Sequence, residues 1–175
     1  GASGELHTKI WKGIEEFEGA GLIEKAKTKM HLAQAEGCAP IVEAFETGNN
    51  QVRPVKPETI AKSLPIGNPA AGPYSLEVLR ETGGTGVAAY EDSIIDGIRM
   101  LAETEGIFTE TAGGVVISSL KRLVEQGKIK KDEVTVAFVT GNGLKTLEAM
   151  GDFVDPIETK PEMNTFQTKL SKRRD

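Results

Sequence analysis

Residues 134–139 form an uninterrupted, mostly apolar run that ends in Thr140-Gly141-Asn142-Gly143. A segment that is apolar on both faces is typical of a central strand in a parallel sheet. A short helical pattern follows, with Leu144, Leu147 and Met150 at helical spacing. Ligands of open α/β sheets bind outside the carboxyl ends of the strands, where the chain turns into a helix. The run therefore predicts a buried strand that borders a ligand site, with an ordinary strand-to-helix turn as the alternative.

Strand patterns and helix patterns alternate along the rest of the chain. Short apolar runs predict two further strands, at residues 30–35 and 87–90. Helical spacing, caps, glycines and prolines predict helices at residues 6–17, 40–45, 57–64 and 73–81, from Asp92 or Ser93 to Gly106, and through residues 116–124 as far as Gly127. Such alternation gives an α/β domain with a mostly parallel sheet flanked by helices. We assign the domain to residues 1–150 and a polar C-terminal tail to residues 151–175.

Composition argues against several classes of partner and site. The chain has 175 residues and a formal net charge of −5, which argues against nucleic acid or an anionic membrane as the main partner. No apolar run approaches the roughly 20 residues that cross a bilayer. Cys38 is the only cysteine, so no internal disulfide forms, and with His7 and His31 it makes no metal set. The basic cluster at residues 169–174 is expected to be a solvated tail.

A small-residue loop leads directly into the first predicted helix. It contains Ala2, Ser3, Gly4, Glu5 and Leu6. Free N–H groups and the positive end of the helix dipole favour a phosphate at such a helix start. Glu5 opposes this, because its carboxylate stands where the anion would bind. The loop is therefore a candidate phosphate site on the condition that the Glu5 side chain points away.

Other polar side chains have more than one interpretation. Glu110 lies in a small-residue segment that enters a helix, so it is either an exposed acid near a helix cap or a carboxylate that faces a pocket. We expect His7 to be solvated on a helix surface. The remaining candidates are expected to be structural or solvated: His31, Cys38, Lys62 and Lys145.

Several longer motifs resemble those of the threonine synthases. They are Gly37-Cys38-Ala39-Pro40, residues 53–63 (RPVKPETIAKS), Ile66-Gly67-Asn68-Pro69, residues 104–114 (TEGIFTETAGG) and residues 140–145 (TGNGLK). The resemblance runs from the first residue to about Met150. It implies a large-domain fold like that of the tryptophan synthase β subunit and the cofactor pyridoxal 5'-phosphate. It also implies the conversion of O-phospho-L-homoserine and water to L-threonine and phosphate.

The resemblance assigns roles to individual residues. Residues 2–6 align with the loop whose backbone amides hold the cofactor phosphate, although Glu5 departs from the small or neutral residue that is usual there. Thr140 aligns with the hydroxyl that meets the pyridine nitrogen. A neutral hydroxyl leaves that nitrogen unprotonated and so limits the ring as an electron sink. Ser63 and Glu110 align with positions beside the cofactor.

One group that the resemblance requires is absent from the chain. The family's lysine that binds the cofactor covalently lies upstream of the phosphate loop, and Lys62 does not occupy its position, so no catalytic residue is assigned. We expect the C-terminal portion of a threonine synthase, inactive alone. Its expected partners are the missing N-terminal portion, the substrate and a second subunit of a homodimer. The expected location is the cytoplasm, with a plastid as the alternative.

Two other functions remain as alternatives. The first is a related enzyme, such as a cysteate synthase or a threonine dehydratase, because substrate choice depends on the missing half. The second is a non-catalytic phosphate-binding or interaction module. A free-standing module would have a sealed sheet edge, whereas part of an enzyme would expose an apolar face and unpaired strand edges.

Overall fold

The computed structural model describes residues 1–154 and 156–172. Two parallel strands and the helices around them form the predicted α/β structure. In chain order the elements are α1 (Glu5–Gly19), β1 (Leu32–Ala35), α2 (Pro40–Glu46), α3 (Gly72–Glu81), β2 (Gly86–Ala89), α4 (Ser93–Glu105), α5 (Thr111–Glu125), a kinked 3-10 segment (Gly143–Phe153) and α6 (Met163–Ser171). No helix of the described residues is long and apolar enough to span a membrane.

The sheet consists of β1 and β2, paired in parallel from Leu32 opposite Gly86 to Ala35 opposite Ala89. Parallel strands are stable where helices cover both of their faces. Two clusters of buried side chains provide this cover. One consists of Ala35, Ala61, Ala89, Ile94 and Val115, and the other of Leu32, Ile41 and Leu79.

The first of these clusters also places the start of α5. Val115, in the second turn of α5, packs with Ala35 and Ala89, which are the last residues of β1 and β2. The N-terminal half of α5 therefore lies at the carboxyl ends of both strands. In an open α/β sheet this is the edge at which ligands bind.

Residues 134–139 do not form the predicted buried strand. They have no regular secondary structure and, within the described residues, are hydrogen-bonded to no strand; Val134, Val136 and Phe138 are 97%, 72% and 49% exposed. An apolar run becomes a buried strand only where a neighbouring strand and a covering helix supply the contacts. Neither lies against this run in the part of the chain that the structure describes. The start of the run is held by an ion pair at 2.7 Å between Glu133 and Lys29.

The predicted helix at residues 57–64 is not formed, because hydrogen bonds to a distant side chain replace those of a helix. Residues 57–64 are irregular rather than helical. The Thr59 hydroxyl and the Ile60 N–H each donate at 3.0 Å to the Glu91 carboxylate instead of to helix carbonyls. Side-chain acceptors that compete for backbone donors disfavour a helix. At the start of α4, Asp92 is the N-cap residue but its side chain makes no capping hydrogen bond.

The C-terminal tail contains a helix that its sequence pattern does not predict. In α6, Met163, Phe166 and Leu170 recur at helical spacing, but the helix has only 9 residues. A periodic pattern over so few residues is a weak sequence signal for a helix. Of the basic cluster, Lys169 and Lys172 lie at the end of α6, whereas Arg173 and Arg174 are outside the described residues.

Candidate functional site

Residues 2–6 form a tight turn onto the start of α1. Gly4 has a φ of +87°, in the left-handed region that favours glycine. A Cβ at Gly4 would overlap the Ser75 hydroxyl and lie 2.9 Å from the Ala71 carbonyl oxygen. The Ala71 N–H donates to the Ser3 carbonyl at 3.0 Å, and the Ser75 hydroxyl donates to the Gly4 carbonyl at 3.2 Å. Only glycine fits where this turn meets the start of α3.

The turn directs its carbonyl groups inward and leaves its N–H groups available. Within the described residues, the N–H groups of Ala2, Ser3, Gly4 and Leu6 donate to no protein acceptor. Together with the positive end of the α1 dipole they form a concavity suited to an anion. Glu5 is exposed, so its carboxylate can point into solvent, away from this concavity.

The glycine loop at the end of the apolar run is fastened to the start of α5. We call the two fastened segments, residues 108–111 and residues 141–146, the clamp. Hydrogen bonds of 3.1, 3.2 and 3.2 Å join them: Gly143 N–H to Phe108 O, Thr111 N–H to Thr146 Oγ1, and Thr109 Oγ1 to Gly141 O. Backbone and side-chain bonds together hold the loop at the N-terminus of α5.

Glu110, at the N-cap of α5, is buried inside the clamp. The residue is 3% exposed, so its interpretation as an exposed cap acid is wrong. Lys145 Nζ lies 3.1 Å from each of its carboxylate oxygens. Because the Lys145 side chain is 60% exposed, the ammonium reaches the carboxylate from the solvent side. Lys145 is therefore solvated, as expected, and is in addition paired with a buried carboxylate.

Thr140 immediately precedes the clamp and is exposed. Its hydroxyl makes no hydrogen bond with the described residues, so it is free to meet a ligand. Ser63 is exposed too. Its neighbour Lys62 pairs with Glu148 at 2.5 Å, and this hydrogen bond lowers the pKa of the Glu148 carboxyl.

Glu91 fixes the segment that carries Ser63, and the sequence motifs do not predict it. Its carboxylate accepts hydrogen bonds at 3.0 Å from the Gly37 N–H, the Thr59 hydroxyl and the Ile60 N–H. It thereby ties the turn after β1 to the segment before Ser63. An acidic residue at the carboxyl end of a predicted strand is the signal that could have identified it.

His7 is not solvated, contrary to the sequence-based expectation. It is 7% exposed, and neither ring nitrogen has a hydrogen-bond partner among the described residues. His7 and Trp11 lie four residues apart on one face of α1, and the Trp11 indole nitrogen is buried as well. This face of α1 therefore turns inward. Burial lowers the pKa of His7 to about 4.

His31 and Cys38 have structural surroundings. The Thr85 N–H donates to His31 Nδ1 at 3.1 Å, beside the paired strands. Cys38 is 2% exposed, and burial raises the pKa of its thiol. A thiol that is buried and protonated is a poor nucleophile.

The predicted site residues fall into separate groups in the structure. Glu110 and the loop after Thr140 lie together in the clamp. Within residues 1–154 and 156–172, no hydrogen bond or ion pair joins residues 2–6 to the clamp or to Ser63. The same residues contain no group of three histidine, cysteine, aspartate or glutamate side chains that could hold a metal ion.

Residues 1–141 match the family model of the pyridoxal-phosphate dependent enzymes. The match extends from the turn at residues 2–6 to the first residue of the clamp's second segment. The chain belongs to this family. The predicted fold, an α/β domain like that of the tryptophan synthase β subunit, is thereby confirmed.

Relatives of this chain include several proteins named threonine synthase. The one from Methanocaldococcus jannaschii is 40% identical over 163 residues, which are 92% of this chain and 40% of the relative. The one from Methanosarcina acetivorans is 37% identical over 83% of the chain and 36% of its own length. The one from Bacillus sp. (strain ULM1) is 39% identical over 79% of the chain and 37% of its own length. The chain thus spans about 40% of the length of the curated relatives it matches.

The residues present fit a pyridoxal phosphate group. The concavity at residues 2–6 offers several N–H donors, and a Cβ at Gly4 would spoil its shape. Such a donor set suits a phosphate dianion. Thr140 and the buried Glu110 carboxylate supply polar groups at a second point. The anchoring of the phosphate and the contact with the ring can therefore come from different loops of this chain.

Proposed function

We propose that the protein to which this chain belongs is a threonine synthase, which converts O-phospho-L-homoserine and water to L-threonine and phosphate. The proposal is carried by the similarity to proteins of that name, at 39–40% identity over 79–92% of the chain. The N–H groups available in the turn at residues 2–6 and the polar groups at the clamp support it.

Different residues of the chain contact different parts of the cofactor. Pyridoxal phosphate, when bound, supplies the electron sink for the replacement chemistry. The N–H groups of residues 2–6 hold its phosphate, while Glu5 keeps its carboxylate in solvent. The Thr140 hydroxyl meets the pyridine nitrogen, and because a hydroxyl is neutral it leaves that nitrogen unprotonated. Ser63 and Glu110 line the pocket beside the ring.

The lysine that binds the cofactor covalently lies in another part of the enzyme. A lysine that attacks a carbonyl group has to lose its charge, which burial or a neighbouring cation promotes. Lys62 and Lys145 have the opposite surroundings: their side chains are 63% and 60% exposed and each is paired with a carboxylate. We therefore propose that the isolated chain is inactive.

The rest of the same enzyme is the proposed partner of the exposed apolar run. Among the described residues, β1 pairs with β2 along one edge and with no strand along the other. Glu133, just before residues 134–139, pairs with Lys29, which lies three residues before the start of β1 at Leu32. A strand from elsewhere in the enzyme, placed between β1 and residues 134–139, would pair with both edges.

The remaining assignments concern assembly and location. Residues 1–150 carry the pocket, and residues 151–175 form a tail. The enzyme is a homodimer, for which the exposed Met163 and Phe166 of α6 are candidate contacts. Its location is the cytoplasm, in keeping with a single, buried cysteine.

Phosphate release from O-phospho-L-homoserine by the full-length protein tests the proposed activity. Purified protein with pyridoxal phosphate should release phosphate and L-threonine in equal amounts. O-phosphoserine with sulfite, and L-threonine itself, should be poor substrates. Cysteate formation or threonine deamination at a higher kcat/KM would replace the proposal by one of the related enzymes.

Thr140→Val tests the part of the site that this chain supplies. The change removes a hydroxyl from an exposed position and keeps the shape of the side chain. We expect kcat to fall by roughly a hundredfold, the magnitude typical of losing one polar group at a reacting centre, with little change in thermal stability. Thr135→Val, on the exposed run, is the matched control. Equal losses of activity in the two variants would remove Thr140 from the site.

A further inference from the structure

Glu110 carries a buried carboxylate whose one ion-pairing partner, among the residues that the structure describes, is Lys145. The Glu110 side chain is 4% exposed, and Lys145 Nζ lies 3.1 Å from each of its oxygens. Removing one partner of a buried ion pair is strongly destabilising, because the desolvated charge that remains is no longer compensated. The conformation around Glu110 therefore depends on the position of Lys145.

Lys145 belongs to the same loop that packs on Glu110. The Glu110 N–H approaches the Gly141 carbonyl at 3.4 Å, and the Lys145 N–H donates to the Asn142 carbonyl at 3.1 Å. At one end of the loop the Gly141 backbone contacts the Glu110 N–H, and at the other end the Lys145 side chain contacts the Glu110 carboxylate. Glu110 and residues 141–145 thus form a closed ring, and the ion pair is the contact that closes it. Thr140 is attached to this ring at Gly141.

Two glycines allow the ring to close. A Cβ at Gly141 would overlap the Glu110 carboxylate, and a Cβ at Gly143 would overlap the Phe108 ring. The carboxylate therefore lies directly against the backbone that follows Thr140. In a close-packed region, a displacement of this carboxylate has to move that backbone.

We propose that Lys145 is a positioning residue, which pairs with Glu110, holds residues 141–145 closed and so fixes the Thr140 hydroxyl at the cofactor pocket. The proposal rests on the proposed function, because Thr140 has its role only if the cofactor binds there. Lys145 acts through the Glu110 carboxylate and the loop backbone. It needs no contact with the substrate or the cofactor.

Backbone amide exchange in the full-length protein, without cofactor, tests whether Lys145 closes the loop. Lys145→Met should speed exchange at residues 141–145 about tenfold. A fully buried pair would give a larger factor, but the Lys145 side chain is 60% exposed and solvent screens its charge. Lys145→Arg keeps the charge and should restore slow exchange. Lys62→Met removes a lysine of similar exposure, 63%, from a different pair and should leave the loop unchanged.

Two outcomes for the single variants would overturn the proposal. One is equal exchange at residues 141–145 in Lys145→Met and Lys62→Met. The other is faster exchange throughout α5 and β1 in Lys145→Met, because it would show a general loss of stability. The double variant Glu110→Gln with Lys145→Met separates the pair from other causes. Its loop should exchange more slowly than that of Lys145→Met alone, and exchange that is equally fast would also overturn the proposal.

A spectroscopic measurement connects the pair to Thr140. In the full-length protein with pyridoxal phosphate, Lys145→Met should shift the absorbance maximum of the bound cofactor in the same direction as Thr140→Val. It should lower kcat with little change in KM, as expected for a displaced group that acts in the transition state. An unchanged spectrum would overturn the positioning role. If the loop responds as expected but wild-type protein releases no phosphate from O-phospho-L-homoserine, the proposed function fails and loop closure stands.

Discussion

β2 and residues 134–139 are both short apolar stretches that lead into a turn, yet they have opposite surroundings. Val87 in β2 is 3% exposed, whereas Val136 is 72% exposed. β2 pairs with β1 and lies under the Ile94 and Val115 side chains. Residues 134–139 have no such neighbours in the described part of the chain. The difference teaches that an apolar run specifies the surroundings in which it is stable, and that those surroundings have to come from other segments.

Residues 134–139 are fixed at both ends by contacts that the residues between them lack. At the far end, the clamp and the buried Glu110 hold the loop after Thr140 in place. At the near end, Glu133 pairs with Lys29. An unpaired stretch between two fixed ends is suited to receive a strand from another part of the protein. The relatives, of which this chain spans about 40%, have the length to supply one.

The largest expected effect lies on the β2 side of the comparison. Ile94 is fully buried and packs with Ala35 and Ala89 at the ends of both strands. Ile94→Ala should lower the free energy of unfolding by about 2–5 kcal/mol, through lost burial and the cavity left behind. Urea denaturation of wild type and variant measures it. A loss below about 1 kcal/mol would mean that the sheet is not held from this face.

The buried face of α1 should make stability depend on pH. The His7 pKa is lowered to about 4, so between pH 6.5 and pH 4 the unfolded state binds more protons than the folded state. Stability should therefore fall as the pH falls through this range, by about 2–3 kcal/mol between pH 7 and pH 4.5. Urea denaturation at pH 7 and pH 4.5 should show a smaller difference for His7→Gln than for wild type.

His31 is the control for this pH dependence. Its pKa is also lowered, chiefly by burial, so it contributes a decrease of the same sign. His31→Gln should therefore retain the His7 part of the effect. A His7→Gln variant with the full wild-type pH dependence would contradict the buried, neutral His7.

Gly141→Ala tests the fixed end of the exposed run. Gly141 has a φ of +85°, and a Cβ there would overlap the Glu110 carboxylate. We expect the free energy of unfolding to fall by about 1–3 kcal/mol, since both the backbone and the packing are strained. Gly13→Ala is the matched control, because no atom lies within 4 Å of its added Cβ in α1. That control should stabilise by about 0.5–1 kcal/mol. A Gly141→Ala variant that is as stable as wild type, or more stable, would contradict the clamp geometry.

The smallest expected effect is on the run itself. In the 175-residue chain, Val136→Ala should change the free energy of unfolding by less than about 0.5 kcal/mol, because the side chain is 72% exposed. In the full-length protein, the same change should cost about 1 kcal/mol or more, since the proposed strand pairing buries this side chain. Equal effects in the two proteins would contradict that pairing.

Local patterns were sufficient for some elements of the fold. The stripe of Ile94, Ile98 and Leu101 predicts α4 correctly, because helical spacing and packing against α5 require the same face. The small residues before α1 predict the turn at residues 2–6 for a comparable reason. Gly4 packs so closely against Ala71 that only glycine fits there, and this glycine can be recognised in the sequence.

Pairings between distant residues were not predictable in this way. Lys145 and Glu110 are 35 positions apart, and neither residue type reveals the other. Glu91 replaces helical hydrogen bonds at Thr59 and Ile60, which lie 32 and 31 positions away. His7 has a polar side chain on a helix whose inner face only the packing defines. In each case the deciding interaction is tertiary, and local propensity is overridden.

Phosphate release from O-phospho-L-homoserine, compared between the full-length protein and the 175-residue chain, tests the central claim most directly. Both proteins would be supplied with pyridoxal phosphate at the same concentration. We expect steady release by the full-length protein and none above background by the chain, because we propose that residues outside the chain complete its pocket. Release by the chain at the rate of the full-length protein, or none by either protein, would contradict the claim.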